Sequence, residues 1–94
     1  MNIIKWLENW YRERCNGDWE HQCGIQIETL DNPGWRLIID LKDTELQNKI
    51  FTQTKIERSE NDWYHCNVME NKFIGNCGPF NLHEVLNVFF LWSA

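Results

Sequence analysis

Apolar residues recur along this chain at two different periods. Near the start, Ile3, Ile4, Leu7, Trp10 and Tyr11 fall at offsets 0, 1, 4, 7 and 8, which is one face of a helix. Asn2 stands where a side-chain cap is wanted. Asn16-Gly17 follows as a stop, because both residues tolerate positive φ. The pattern predicts a helix over about 3–15. From Cys23 to Leu30 the period falls to two: Cys23, Ile25, Ile27 and Thr29 share one face, Gln26 and Glu28 the other. Trp35, Leu37, Ile39 and Leu41 repeat this alternation after Asp31-Asn32-Pro33-Gly34, where Pro followed by Gly predicts a type II turn and an antiparallel hairpin.

The second half reads in the same way. Lys42 to Lys49 is polar, a loop or one helical turn. Ile50 to Arg58 is strand-like with less clean alternation. Trp63 to Met69 is a strand, with Tyr64, Cys66 and Val68 opposite Trp63, His65 and Asn67. Glu70-Asn71 turns the chain into Lys72 to Cys77. Asn81 with Glu84 three residues on reads as a capping box, flanked by Phe80 and Val85 as a hydrophobic staple. Leu82, Val85, Leu86, Phe89 and Phe90 then continue at helical spacing. Helix, about five strands and helix, joined by hairpins, predict an α+β fold with a mostly antiparallel sheet. Two layers result if both helices cover one sheet face.

Ninety-four residues form one domain, 1–94. Six Trp, five Phe and two Tyr are many for that length. Burying one large apolar side chain stabilises by roughly 1.5–3 kcal/mol before entropy is counted, so a small core made of large residues accounts for most of them. The formal net charge is −5, and Lys and Arg do not cluster. DNA, RNA and anionic membranes are therefore not expected partners. No apolar run approaches the roughly 18 residues of a membrane span. Met1 to Leu7 is interrupted by Lys5, so no signal peptide is expected and the chain reads as cytoplasmic. Its four cysteines are then expected to be reduced.

Three kinds of chemistry are open to these residues. His21, Cys23, His65 and Cys66 could offer zinc two imidazoles and two thiolates, but their spacing fits no standard module and His65 and Cys66 point oppositely. Cys77-Gly78-Pro79 leads toward a helix N-terminus, where a thiolate is favoured, with His83 or His65 as base. That is the basis for an alternative reading as a small cysteine-dependent sulfurtransferase-like enzyme. The residues after Cys77 supply no cation, which weakens it. Asp18, Glu20 and Asp31 could act as paired acids, but a two-layer domain of this size seldom holds the cleft a glycosidase needs. No catalytic residue, metal or cofactor is expected. What remains is an apolar anchor of Trp19 and Trp35 with Asp18, Glu20 and Asp31 as a negative rim, suited to a basic protein. Trp19 itself is expected in the core, and Asp18 in turn or capping chemistry.

These residues also carry a resemblance. Trp6-Leu7, Trp10-Tyr11, Asp18-Trp19-Glu20-His21, Gly24-Ile25 and Ile27 through Trp35 resemble the immunity protein 53 family of bacterial polymorphic toxin systems. So do Asp40-Leu41, Ile56 through Trp63 and Gly78-Pro79, so the likeness runs over nearly the whole chain. It implies an α+β protein that binds and neutralises a cognate toxin stoichiometrically. Many such toxins are nucleases with basic surfaces, which an acidic inhibitor would attract. The expected partner-binding residues are Asp18, Glu20 and Asp31, with Glu28, Asp40, Glu57, Glu60 and Asp62 as further acidic candidates. The sequence leaves the oligomeric state open.

Overall fold

A computed structural model describes residues 2–94. The order is α1 (Ile3–Arg14), α2 (Trp19–Gln22), β1 (Ile25–Leu30), β2 (Gly34–Asp40), β3 (Thr54–Ser59), β4 (Asp62–Met69), β5 (Lys72–Cys77) and α3 (Leu82–Ser93). The five strands form one antiparallel sheet in the order β1-β2-β5-β4-β3. The α+β reading is thus correct, with a helix at each end of the chain and five strands between.

Local chemistry explains the boundaries. Asn2 Oδ1 accepts from the backbone N–H groups of Ile4 and Lys5 at 3.0 and 3.1 Å, satisfying donors the first turn leaves free. After α1, Gly17 takes φ +89°. Asn16 Oδ1 then accepts from the N–H groups of Asp18 and Trp19 at 3.0 and 2.9 Å. This short cap starts α2 four residues earlier than the expected strand, so Trp19–Gln22 is helical and β1 begins only at Ile25. β3 likewise starts late, at Thr54. Glu70 and Asn71 both have positive φ, the conformation that lets two residues close the β4–β5 hairpin.

The register decides what is buried. Antiparallel partners share a face, so Leu37, Ile39, Phe73, Gly75, Cys77 and Cys66 all lie on one side. They join Ile3, Leu7, Trp10, Trp19, Val85, Leu86 and Phe89 in a single core. α1, α2 and α3 therefore all lie against the same face, giving two layers. Gly75 is part of that contact: a Cβ there would collide with Val85 Cγ1, so glycine lets α3 lie close on β5. The aromatic rings meet mostly edge to face. Trp10 and Phe89 are 5.2 Å apart at 84°, and Phe51 and Phe73 5.5 Å apart at 88°, an arrangement favoured by ring quadrupoles.

Three turn and cap expectations need correction. The Asn32–Pro33 peptide is cis and Gly34 has no positive φ, so the type II turn is not formed. Gly34 is required for space instead, since a Cβ there would overlap the Cys77 carbonyl. The capping box is replaced by a different network: Asn81 is buried, and its side chain makes no cap bond to α3. The staple is absent too, because Val85 is fully buried while Phe80 is 84% exposed.

Candidate partner surface

The eight acidic residues predicted to contact a partner fall into three separate groups. Asp18, Glu20 and Asp40 lie at the end of the sheet where α2 meets the start of β1. Glu28 and Glu57 lie on the sheet face that no helix covers. Asp31, Glu60 and Asp62 lie at the opposite end, in or beside the β1–β2 and β3–β4 turns.

At the first end most of the charge is engaged in holding the chain. Glu20 accepts from the N–H groups of Asn16 and Gly17 at 2.9 and 2.8 Å. Hydrogen bonding from its own backbone N–H, and then from those two, holds its carboxyl below the usual range. Asp40 accepts from Gly24 N–H at 2.8 Å and from Lys72 Nζ at 2.5 Å. Trp19 is 4% exposed and donates its indole N–H to the Lys42 carbonyl at 2.9 Å, as expected of a core anchor. Asp18 differs from its expected role: its side chain makes no cap bond, because Asn16 does that work.

The uncovered face carries a polar row across all five strands, Glu28, Arg36, Asn76, His65 and Lys55. Arg36 donates to Asn76 at 2.9 Å and stands 3.5 Å from Glu28. Glu57 lies 3.3 Å from Lys55, whose hydrogen bond holds the carboxyl below the usual range, with His65 adding to the effect. Trp63 and His65 place their rings 5.1 Å apart on this face. Each acid here has a basic neighbour, so the face is nearly neutral.

The second end is different. β5 is the central strand, so the loop leaving it emerges between the two hairpin turns. Arg58 pairs with Asp62 at 2.9 Å and with Glu84 at 3.0 Å. Asn81, 2% exposed, donates to both carboxylates at 2.9 and 2.7 Å, and its Oδ1 accepts from Trp63 N–H at 3.2 Å. The Asn81 and Arg58 hydrogen bonds hold the Asp62 carboxyl below the usual range, and those from Arg58 and Asn81 do the same for Glu84. This network ties the β3–β4 hairpin to the start of α3. Phe80 sits on the loop beside it. Its flanks are pinned by Gly78 N–H to the Trp63 carbonyl at 2.9 Å, Asn81 N–H to the Gly78 carbonyl at 3.2 Å, and Trp35 Nε1–H to the Pro79 carbonyl at 3.1 Å. Asp31 and Glu60, on either side, make no side-chain hydrogen bond or ion pair among the described residues. Phe80, expected in a staple, is instead exposed on a loop whose flanks Gly78, Pro79 and Asn81 are held by these bonds.

The histidines and cysteines do not converge on one site. β2 and β5 separate β1 from β4, so His21 and Cys23 are not neighbours of His65 and Cys66. Cys77 is buried, and desolvation pushes its thiol up to about 11; Cys66, likewise desolvated, is pushed up to about 12. His65 faces the opposite side of the sheet from Cys77, and His83 is exposed. A thiol so placed supplies no thiolate nucleophile near neutral pH, which removes the support for sulfur transfer. No helix among the described residues is long and apolar enough to cross a membrane.

No curated protein and no solved structure matches the chain. The family model described as immunity protein 53 matches residues 4–94, which takes in all of α1 but its first residue, the other two helices and all five strands. The chain belongs to the immunity protein 53 family.

Proposed function

We propose that this protein is a non-enzymatic inhibitor that neutralises one cognate toxin in the cytoplasm by stoichiometric binding, docking the turn end of its sheet on a basic surface of that toxin. The observation that carries the reading is Phe80. An 84% exposed aromatic ring on a backbone held by three hydrogen bonds loses little freedom on binding and brings a large apolar area to an interface. Asp31 and Glu60, in the two turns at the same end of the sheet, are unengaged among the described residues, and the carboxyls of Asp62 and Glu84 are held below the usual range, so acidic side chains outnumber the Arg58 guanidinium at this end. Such a field draws in a cationic partner and repels an anionic one. The basic site of a nuclease, which must bind phosphate, would fit it, and occupying that site would block substrate.

Co-expression with the toxin encoded beside it, scored by survival and by recovery of a complex, tests the function. Survival and complex formation are expected with the wild-type chain. Killing with no complex would sink the reading.

A further inference from the structure

The two edges of the sheet are built differently. β3, one edge, carries Lys55, Glu57 and Arg58 and a register shift between Glu57 and Ser59. Charges and a bulge are the usual means of keeping an edge from pairing with another chain. β1, the other edge, reads Ile25-Gln26-Ile27-Glu28-Thr29-Leu30 and has neither Lys nor Pro, and its pairing with β2 runs without a bulge.

Its free backbone groups can be assigned. Asp40 N–H donates to the Gly24 carbonyl at 3.0 Å. In an antiparallel ladder the bonded pairs alternate, so Gln26, Glu28 and Leu30 bond to β2, while the N–H and C=O groups of Ile25, Ile27 and Thr29 point away from it. The side chains of those same three residues face the helix layer. There Ile4, Leu7, Tyr11, Ile25 and Ile27, together with Glu8 and Gly24, line an open groove of about 390 Å³ between α1 and β1. Ile4 is 48% exposed and Ile27 42%. An apolar groove running along an unprotected edge is a surface made for a strand and the side chains beside it.

We propose that the occupant is a second copy of this chain, with the two β1 strands antiparallel about a twofold axis at Ile27. Three features favour self-pairing. In that register Ile27 meets the second copy's Ile27 and Ile25 meets Thr29, all through outward-pointing backbone groups, and Gln26 meets Glu28, so an amide donates to each carboxylate. The neighbouring register centred on Glu28 would set two carboxylates face to face. Charge also decides: two chains of net −5 repel, and this is where local charge cancels, with Lys5 3.0 Å from Glu8 and Arg36 3.5 Å from Glu28. Phe80, on the loop leaving the central strand, lies away from this edge in both copies.

Sedimentation of the purified chain from micromolar to millimolar concentration tests the proposal. A species of twice the monomer mass is expected, and Ile27→Lys, which puts an ammonium at the twofold, should return it to a monomer that still unfolds cooperatively, with a melting temperature that no longer rises with concentration; Ile27→Val should remain a dimer. Should Ile27→Lys fail to fold, amide exchange in the wild type gives an independent answer: Ile25, Ile27 and Thr29 should become protected as concentration rises. A wild type that stays monomeric throughout, or a dimer in which those three amides exchange freely, overturns the proposal. Protection appearing only on addition of the toxin also overturns it, and assigns the groove to the toxin.

Discussion

The two ends of the sheet differ in how far their carboxylates are engaged by the fold. At the α2 end, Glu20 binds backbone N–H groups, Asp40 joins Gly24 to Lys72, and Trp19 is sealed in the core. At the turn end, Asp31 and Glu60 are unengaged and the aromatic ring of Phe80 is turned outward. The two stretches look alike as sequence: each places acids around a turn with an aromatic residue close by. An acid next to an aromatic in sequence therefore says little about a surface. What separates the ends is whether backbone donors stand within reach of the carboxylate, and that depends on how the chain turns.

This contrast is most sharply broken at Phe80. Phe80→Ala is expected to weaken toxin affinity by about 2 kcal/mol or more, on the order of 30-fold, and to leave the urea midpoint unchanged. Titration calorimetry beside a denaturation curve reads both. Asn81→Ala should do the reverse in kind: it removes the buried amide linking Asp62, Glu84 and Trp63, costing about 2 kcal/mol of stability in urea.

Charge comes next. Reversing Asp31 and Glu60 together to Lys should slow association about tenfold at low salt and much less at high salt. Asp18→Lys, at the other end, should alter the rate little. An equal effect from both would erase the distinction between the ends. Cys77→Ser should leave neutralisation intact and cost about 1 kcal/mol, since a buried hydroxyl would need a partner. Loss of protection in that variant, with its fold preserved, would revive the sulfurtransferase reading.

The smallest effect is the response to acid. The folded-state carboxyls of Asp62 and Glu84 titrate below their ordinary range, through Asn81 and Arg58 respectively as the leading cause. Their contribution is thus present above the unfolded values, near about 4, and is lost as pH falls through the lowered folded values. Both groups are exposed and screened, so the loss should be modest. The urea midpoint should drop below about pH 4, and drop less in Asn81→Ala.

Much of the fold was legible in the sequence, and the reasons are local. α1 announced itself through Asn2 and a clean apolar stripe, and β2 through strict alternation from Trp35 to Leu41. What escaped depended on distant partners. Asn81 has the look of a helix cap, yet its side chain answers to Asp62 and Trp63, some 18 residues away in sequence. Gly34 looks like a residue chosen for positive φ, yet it is there to clear the Cys77 carbonyl on a neighbouring strand. Ile27 shares the apolar face of β1, but β1 is an edge and α1 does not reach across it, so the residue stays exposed. The site suffered most. All eight acids were visible, but sequence carries no record of which were engaged: Asp18, Asp31 and Glu60 are free of the fold, while Glu20, Asp40 and Asp62 are bound into it. Within Ile56 to Trp63, Arg58 and Asp62 serve the network that ties the β3–β4 hairpin to the start of α3.

The central claim is that the turn end, and not the α2 end, meets the toxin. A single set of titrations decides it: toxin against the wild type, against a chain carrying Asp31→Lys, Phe80→Ala and Glu60→Lys together, and against Asp18→Lys. The account predicts equimolar binding by the wild type and by Asp18→Lys, and no measurable binding by the triple variant with its fold intact. Unchanged affinity in the triple variant would contradict it.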